Sequence, residues 1–471
     1  MNLTFSKPHI QYCNMKRIAL SLCFLASIYC CFAQHDASKV PYDTAKMAWF
    51  ENAKLGIFIH WGIYAVNGIP ESWSFYNKQI SYADYMKQLD GFTAKNYDPQ
   101  KWAALFKEAG AGYAVLTTKH HDGVALWDTK LSDLNVVKKT PAARDLIGPY
   151  CDALRSAGLK VGLYFSHLDW SHPDYPSVLQ TGMEHVPISQ RNAFSYPQEG
   201  EGDPARWQKF IGFHRGQLKE LSLQYKPDLL WFDGDWERAA DQWKMWQVRD
   251  SLLKWNPTVI LNARMLGYGD YLTPEQGVPV IRPKGAWELC MTTNDSWGYQ
   301  PLDRNFKSPR QIILTFAECI SMGGNLLLDI GPKPDGTIEE AQVAILKSLG
   351  RWTKKHDEAV YKSGAGLPFG HFYGPTTLSK DSSTLYLFMP YQPTDNIPLK
   401  GVRNKIKNIR VVGTGEKLAY KSIGGASWLN IPGILYINKP KAYDESLTVI
   451  AVELDGKLDL YHGGGGAIES N

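Results

Sequence analysis

The sequence predicts an α/β fold: a (β/α)8-like (TIM-type) barrel followed by a C-terminal antiparallel β-sandwich. Three observations predict it. From about Tyr42 to Lys355, short β-branched or aromatic runs alternate with amphipathic helical stretches, as in a parallel sheet wrapped by helices. No glycine-rich dinucleotide or P-loop fingerprint follows any of these runs, which disfavours a doubly wound sheet. After Gly364 the helical periodicity fades, and short strands separated by turns take over. The 471 residues are enough for two or three domains. The expected division is a leader at 1–33, a barrel at 34–360 and a sandwich at 361–471.

The expected barrel strands are Leu55–Ile59, Tyr113–Thr118, Lys160–Phe165, Leu229–Phe232, Val259–Asn262, Ala286–Met291 and Asn325–Asp329. Each is a short apolar run of the kind buried in a parallel sheet. The helices expected between them are Pro99–Ala109, Arg144–Ala157, Trp207–Tyr225, Ala239–Trp255, Ser308–Met322 and Glu339–Lys355. Asp98-Pro99 is a strong helix start, with Asp as N-cap and Pro at the first helical position. In the last part, Thr384–Met389, Ile409–Val412, Trp428–Asn430 and Ser446–Glu453 read as sandwich strands, and Gly463 to Gly466 as a flexible run.

The N-terminus reads as a secretion signal. Lys16 and Arg17 form a basic region, Ile18 to Tyr29 an apolar one, and Cys31-Phe32-Ala33 a cleavage site. The apolar run is too short for a transmembrane helix, so no membrane span is expected in the mature chain, and export is. Residues 1–33 carry Lys7, Lys16 and Arg17 and no acid, so their removal lowers the formal charge from +4 to +1. That balance gives no reason to expect a nucleic-acid partner. Cys151, Cys290 and Cys319 remain, an odd number without metal-type spacing, and no disulfide framework is expected. Aromatics make up 13% of the chain, with 16 Trp and 25 Tyr. This excess suits a large aromatic core or the stacking of rings on sugars, and composition leaves both open.

Several expected strands end in polar residues, and the C-terminal ends of barrel strands are where catalytic side chains project. Asp233 ends Leu229-Leu230-Trp231-Phe232-Asp233-Gly234 and suits nucleophilic attack on a sugar. His60, His120, His121, His167 and Arg264 follow other strands. His120, His121 and Asp122 raise the question of a metal. Adjacent residues on an extended segment point in opposite directions, and no His-x-x-x-His or cysteine partner accompanies them. Hydrogen bonding to vicinal hydroxyls is favoured, and neither metal nor cofactor is expected. Trp231 and Trp297 fit either the core or a sugar cavity.

This set resembles glycoside hydrolase family 29, the α-L-fucosidases. The resemblance is carried by Phe58-Ile59-His60-Trp61-Gly62, Glu71-Ser72-Trp73, Lys119-His120-His121-Asp122-Gly123, Trp231-Phe232-Asp233-Gly234, Ser296-Trp297-Gly298-Tyr299 and Asn325-Leu326-Leu327-Leu328-Asp329-Ile330-Gly331-Pro332. It implies a barrel, a C-terminal sandwich and a retaining double displacement without metal, acting on fucosylated oligosaccharides or glycoconjugates. It places the nucleophile on Asp233 and fucose contacts on His60, Glu71, Trp73, His120, His121, Trp231 and Arg264. Two glutamates compete as acid/base. Glu275 lies in a loop soon after the fifth strand, and Glu288 leads into the sixth; the resemblance favours Glu275. Two other readings stand beside this one: a barrel glycosidase of another specificity, such as an α-galactosidase-like enzyme, and a non-catalytic glycan-binding protein.

Overall fold

Seven parallel strands form the main sheet: β1 Leu55–Ile59, β2 Tyr113–Lys119, β3 Lys160–Ser166, β4 Leu229–Asp233, β5 Ile260–Leu261, β6 Glu288–Thr292 and β7 Asn325–Ile330. Their order is β5-β4-β3-β2-β1-β7-β6. The computed structural model describes residues 40–175 and 204–463. The expected leader, most of the Asp174–Asp203 loop and the chain after Gly463 lie outside the described residues. Every residue of β1, β2, β6 and β7 is buried. This is why these strands read as unbroken apolar runs rather than alternating ones.

The sheet curls so that its edges, β5 and β6, face one another across residues 271–275. This segment pairs by single parallel bridges with both sides: Asn262 with Tyr271, Leu272 with Trp287 and Glu275 with Cys290. Seven strands and one irregular segment therefore stand where eight regular strand–helix units were expected. Gly267, Gly269, Pro274, Gly277, Pro279 and Pro283 crowd this stretch and leave no room for a helix. Glu275 sits on the irregular segment.

The larger helices are α1 Thr44–Ala53, α2 Pro99–Ala109, α3 Ile147–Ser156, α4 Pro204–Glu220, α5 Met245–Trp255, α6 Pro309–Ser321 and α7 Glu340–Lys355. Helix α2 shows how local sequence sets them. The Asp98 side chain accepts from Lys101 N–H at 3.0 Å, Pro99 opens the helix, and Gly110 closes it in the left-handed conformation. Such a cap is worth about 1 kcal/mol. Trp102, Ala103, Phe106 and Ala109 form its buried face. The helix expected at Ala239–Trp255 is two helices, because Lys244 takes φ 53° between Ala240–Trp243 and α5.

The C-terminal part holds two antiparallel sheets. One has the order β12-β15-β10-β9-β8, from Ile406–Val411, Thr448–Leu454, Thr384–Met389, Thr376–Ser379 and Ser363–Ala365. The other has the order β11-β14-β13, from Ile397–Leu399, Ile434–Ile437 and Tyr420–Ile423. They enclose their own apolar core around Leu385, Leu387, Ile437 and Val452. The strand expected at Trp428–Asn430 is instead a 3-10 turn at Ser427–Leu429, with Trp428 81% exposed and Asn430 left-handed. Trp428 and Leu429, two apolar residues at a loop tip, imitate a strand core in sequence. Arg410 clamps this part to the barrel, donating to both Glu358 oxygens at 2.8 Å and to Glu453 at 2.8 Å.

Candidate active site

Asp233 is the last residue of β4, level with Ser166 at the end of β3. The next residue, Gly234, has φ 80°, and a Cβ there would lie 2.5 Å from Leu168 Cγ. The glycine lets the chain turn away at once and leaves the carboxylate at the strand tip. Tyr164 O–H donates to Asp233 Oδ2 at 3.0 Å, and Arg264 Nη1 donates to Oδ1 at 2.6 Å. The second arm of the same guanidinium reaches Glu275 Oε2 at 2.5 Å. One planar fork thus spans two carboxylates, a geometry that arginine supports and lysine does not. The Glu275 side chain is 42% exposed and the Asp233 side chain 13%.

Three histidines line the same mouth, and burial pulls each well below its ordinary pKa, so all three imidazoles are neutral near pH 7. His60 Nδ1 pairs with Asp329 Oδ1 at 2.7 Å, which leaves Nε2 free. His120 Nδ1 pairs with Ser72 Oγ. The Ser166 hydroxyl donates to the Leu168 carbonyl at 2.8 Å, so its oxygen accepts from His121 Nδ1 at 2.6 Å. His121 Nε2 is then a bare acceptor, buried without a partner and 3.7 Å from Asp233 Oδ2. Two acceptors facing one another without a hydrogen are poised to share a hydroxyl.

Aromatic rings wall the site. Trp231 packs against Phe58 at 4.9 Å and Tyr164 at 5.7 Å, and the Arg264 guanidinium lies 4.8 Å from its ring centre. Half-buried Trp297 lies 4.9 Å from the His60 ring. Half-buried Trp73 lies 5.4 Å from the His121 ring. Glu71 is buried, and its Oε1 accepts from Gly298 N–H at 2.6 Å, tying the Trp297 loop to the mouth. Burial pushes the Glu71 carboxyl up to about 7. Gly331, just beyond β7, lies directly against that loop: a Cβ there would lie 2.5 Å from Gly298 C and Tyr299 N. Gly331→Ala is expected to push the Trp297 loop outward. It should lose about 1–3 kcal/mol of stability, as overpacked sites do, and raise KM more than it lowers kcat. Thermal unfolding and steady-state kinetics read these two effects.

Glu288 is placed differently. It is the first residue of β6 and fully buried, whereas Asp233 closes β4. Trp231 Nε1–H donates to it at 2.8 Å, Tyr271 O–H at 3.0 Å, and Tyr113 O–H also donates to it. Burial pushes its carboxyl up to about 7. The sequence-expected residues His60, Glu71, Trp73, His120, His121, Trp231, Asp233, Arg264, Glu275 and Trp297 thus lie around one mouth, and Glu288 lies beneath it.

The α-L-fucosidase family profile matches residues 33–358. The chain belongs to the α-L-fucosidase family. A tissue α-L-fucosidase of Homo sapiens is 33% identical over 349 residues, 67% of this chain and 69% of that protein. Its counterpart from Macaca fascicularis is 31% identical over 408 residues, 78% of this chain and 81% of that protein. Among solved structures, α-L-fucosidase isoenzyme 1 from Paenibacillus thiaminolyticus has a TM-score of 0.76 at 33% identity, covering 87% of this chain and 99% of that one. A family 29 α-L-fucosidase from Bacteroides thetaiotaomicron was trapped as a covalent intermediate with 2-fluoro-fucosyl fluoride in a Glu-to-Gln variant. It has a TM-score of 0.75 at 26% identity, covering 88% of this chain and 97% of that one.

Sequence reasoning passed over three groups in this fucosidase-family site. Tyr164 reaches Asp233 from β3, two residues before Ser166; facing positions alternate along a strand, so it shares the side of Ser166. Trp236 stacks near Trp73 at 6.1 Å and meets the His121 ring at 5.8 Å; its place shortly after Asp233 was a usable signal. Asp329 pairs with His60 across 269 positions of chain, and no local pattern announces that contact.

Proposed function

We propose that this protein is a retaining exo-α-L-fucosidase that removes terminal α-L-fucose from fucosylated glycans. The observation that carries the reading is the pair of carboxylates, Asp233 and Glu275, sharing the Arg264 guanidinium within a fucosidase-family chain. Retaining glycosidases hold their two carboxyl groups about 5–5.5 Å apart, and a single guanidinium fork is consistent with that close spacing. Asp233 is proposed as nucleophile and Glu275 as acid/base. Asp233 attacks the anomeric carbon while Glu275 protonates the departing oxygen, which gives a covalent fucosyl-enzyme. Glu275 then takes a proton from water, the water attacks the anomeric carbon, and the Asp233 ester bond breaks.

In this reading the free ring nitrogen of His121 accepts from a fucose hydroxyl, that of His60 meets another, and Glu71, Trp73, His120 and Trp297 complete the sugar cavity. Phe58, Trp231 and Trp297 supply an apolar wall for the methyl group at C5, which distinguishes fucose from galactose. One methyl in an apolar pocket is worth about 1–3 kcal/mol, or roughly 10–200-fold in discrimination. The protein is therefore expected to hydrolyse nitrophenyl α-L-fucoside at least about 10-fold faster, in kcat/KM, than nitrophenyl α-L-galactoside. The NMR spectrum of the first-formed sugar is expected to show α-L-fucose. A β-anomer first, or preferential cleavage of an α-galactoside, would overturn the proposal. We also propose export, on the leader pattern at residues 16–33; the curated relatives include a plasma α-L-fucosidase of Homo sapiens. Among the described residues, no helix is long and apolar enough to cross a membrane.

A further inference from the structure

A buried relay of nitrogen atoms ends on the backbone of Arg264. Arg215, in α4, directs Nη1 to His214 Nδ1 at 2.8 Å. A guanidinium only donates, so His214 Nδ1 accepts and its ring proton sits on Nε2. That proton goes to His167 Nδ1 at 3.0 Å. His167 then carries its own proton on Nε2 and donates it to the Arg264 carbonyl at 3.1 Å. Each tautomer follows from the one before, starting at a group with no choice.

The relay is rigid. His167 and His214 are fully buried. The His167 ring lies 4.6 Å from Phe232 with planes 7° apart, and its backbone N–H donates to the Asp233 carbonyl at 2.8 Å. Arg215 is held by the Trp243 carbonyl at 2.5 Å. The segment it supports is tied down on either side, by Asn262 to the Phe232 backbone and by Leu266 N–H to Asp235 Oδ2, and the His167 bond holds the Arg264 carbonyl between them. Strand β5 is two residues long, and the chain turns through Ala263–Met265 to Leu266, which has φ 50°.

We infer that His167 is a positioning residue for the active site: it holds the Arg264 and Asp233 backbones together, so that the guanidinium meets both carboxylates. The inference rests on the reading of Asp233 and Glu275 as the reacting pair. His167 acts through Arg264 and touches no substrate. Its burial holds its pKa at about 3, so the relay keeps one protonation pattern across the working range.

His167→Phe keeps the stack on Phe232 and removes both ring nitrogens. Misplacing a group near reacting atoms by about 1 Å can cost 10²-fold. The expected result is a kcat for nitrophenyl α-L-fucoside lower by about 10–100-fold, with KM within about threefold of wild type. His167→Gln, whose amide can donate to Arg264 and accept from His214, is expected to restore kcat to within about threefold. In an Arg264→Met background, His167→Phe is expected to change kcat by less than about twofold, because coupled residues are not additive. A folded His167→Phe with wild-type kcat, or a loss that multiplies fully in the Arg264→Met background, would overturn the inference. If His167→Phe does not fold, Arg215→Met is decisive. It frees the His214 tautomer and is expected to lower kcat about 3–10-fold; unchanged kcat there overturns the relay. A wild-type protein inactive on fucosides would sink the functional reading itself, whereas an active one with indifferent variants sinks only the relay.

Discussion

Asp233→Gly is expected to lower kcat/KM for nitrophenyl α-L-fucoside by about 10⁴-fold, a loss of about 5.5 kcal/mol in transition-state stabilisation. The size follows from the proposed role. Without the carboxylate no covalent intermediate forms, and water must attack without a placed nucleophile. The fold is expected to persist. Among the described residues, the Asp233 side chain makes hydrogen bonds with Tyr164 and Arg264 alone, and Arg264 keeps Glu275. Added azide then distinguishes a lost nucleophile from a damaged site. Azide in the space left by the carboxylate attacks the bound fucoside directly, with one inversion, and yields β-L-fucosyl azide. A folded Asp233→Gly with more than a tenth of wild-type activity would refute the assignment.

Much of this is legible in the sequence, and the reason differs by region. Helix α2 was legible residue for residue because its signals are local: Asp98, Pro99 and Gly110 mark its ends. The barrel strands were legible because burial on both faces leaves continuous apolar runs. The split at Lys244 was not, because a lysine in the left-handed region carries no sequence mark that a glycine would. Among the sandwich strands, Ile397–Leu399 is too short to stand out and Tyr420–Ile423 is too exposed. The same division runs through the site. Asp233 announced itself by following an apolar run. The groups that orient it come from β3, α4 and the segment after β5, and such pairings exist only once the sheet has closed.

Glu275 and Glu288 were rivals in the sequence, and their surroundings make opposite predictions. Glu275→Ala is expected to cut kcat/KM by about 10²–10⁴-fold for substrates whose leaving group needs a proton, and far less for dinitrophenyl fucoside, which needs none. Azide is expected to raise turnover of that activated substrate. It attacks the fucosyl-enzyme from the face the leaving group has vacated, so a second inversion gives α-L-fucosyl azide. Stability is expected to change by only about 0–1 kcal/mol, because the partner lost is one end of a partly exposed ion pair.

Glu288→Ala strips Trp231, Tyr113 and Tyr271 of a shared acceptor in a fully buried place. Each orphaned buried donor costs about 1–3 kcal/mol. Three of them approach the whole stability of a domain, about 5–15 kcal/mol. The variant is expected to be insoluble or to melt far below wild type, and no azide product is expected from it. Glu288→Gln isolates the electrostatic part. The folded carboxyl, raised to about 7, lies above its ordinary value of 4.5. Its neutral form is therefore the stabilised one: the contribution is complete below about pH 4.5 and lost as pH rises through 7. Wild type is expected to lose melting temperature over that interval, and Glu288→Gln, which cannot ionise, to lose less. Azide rescue of a folded Glu288 variant, with none in Glu275→Ala, would reverse the two roles. A proton donor must meet both solvent and substrate within each turnover, and of the two glutamates only Glu275 is exposed to solvent.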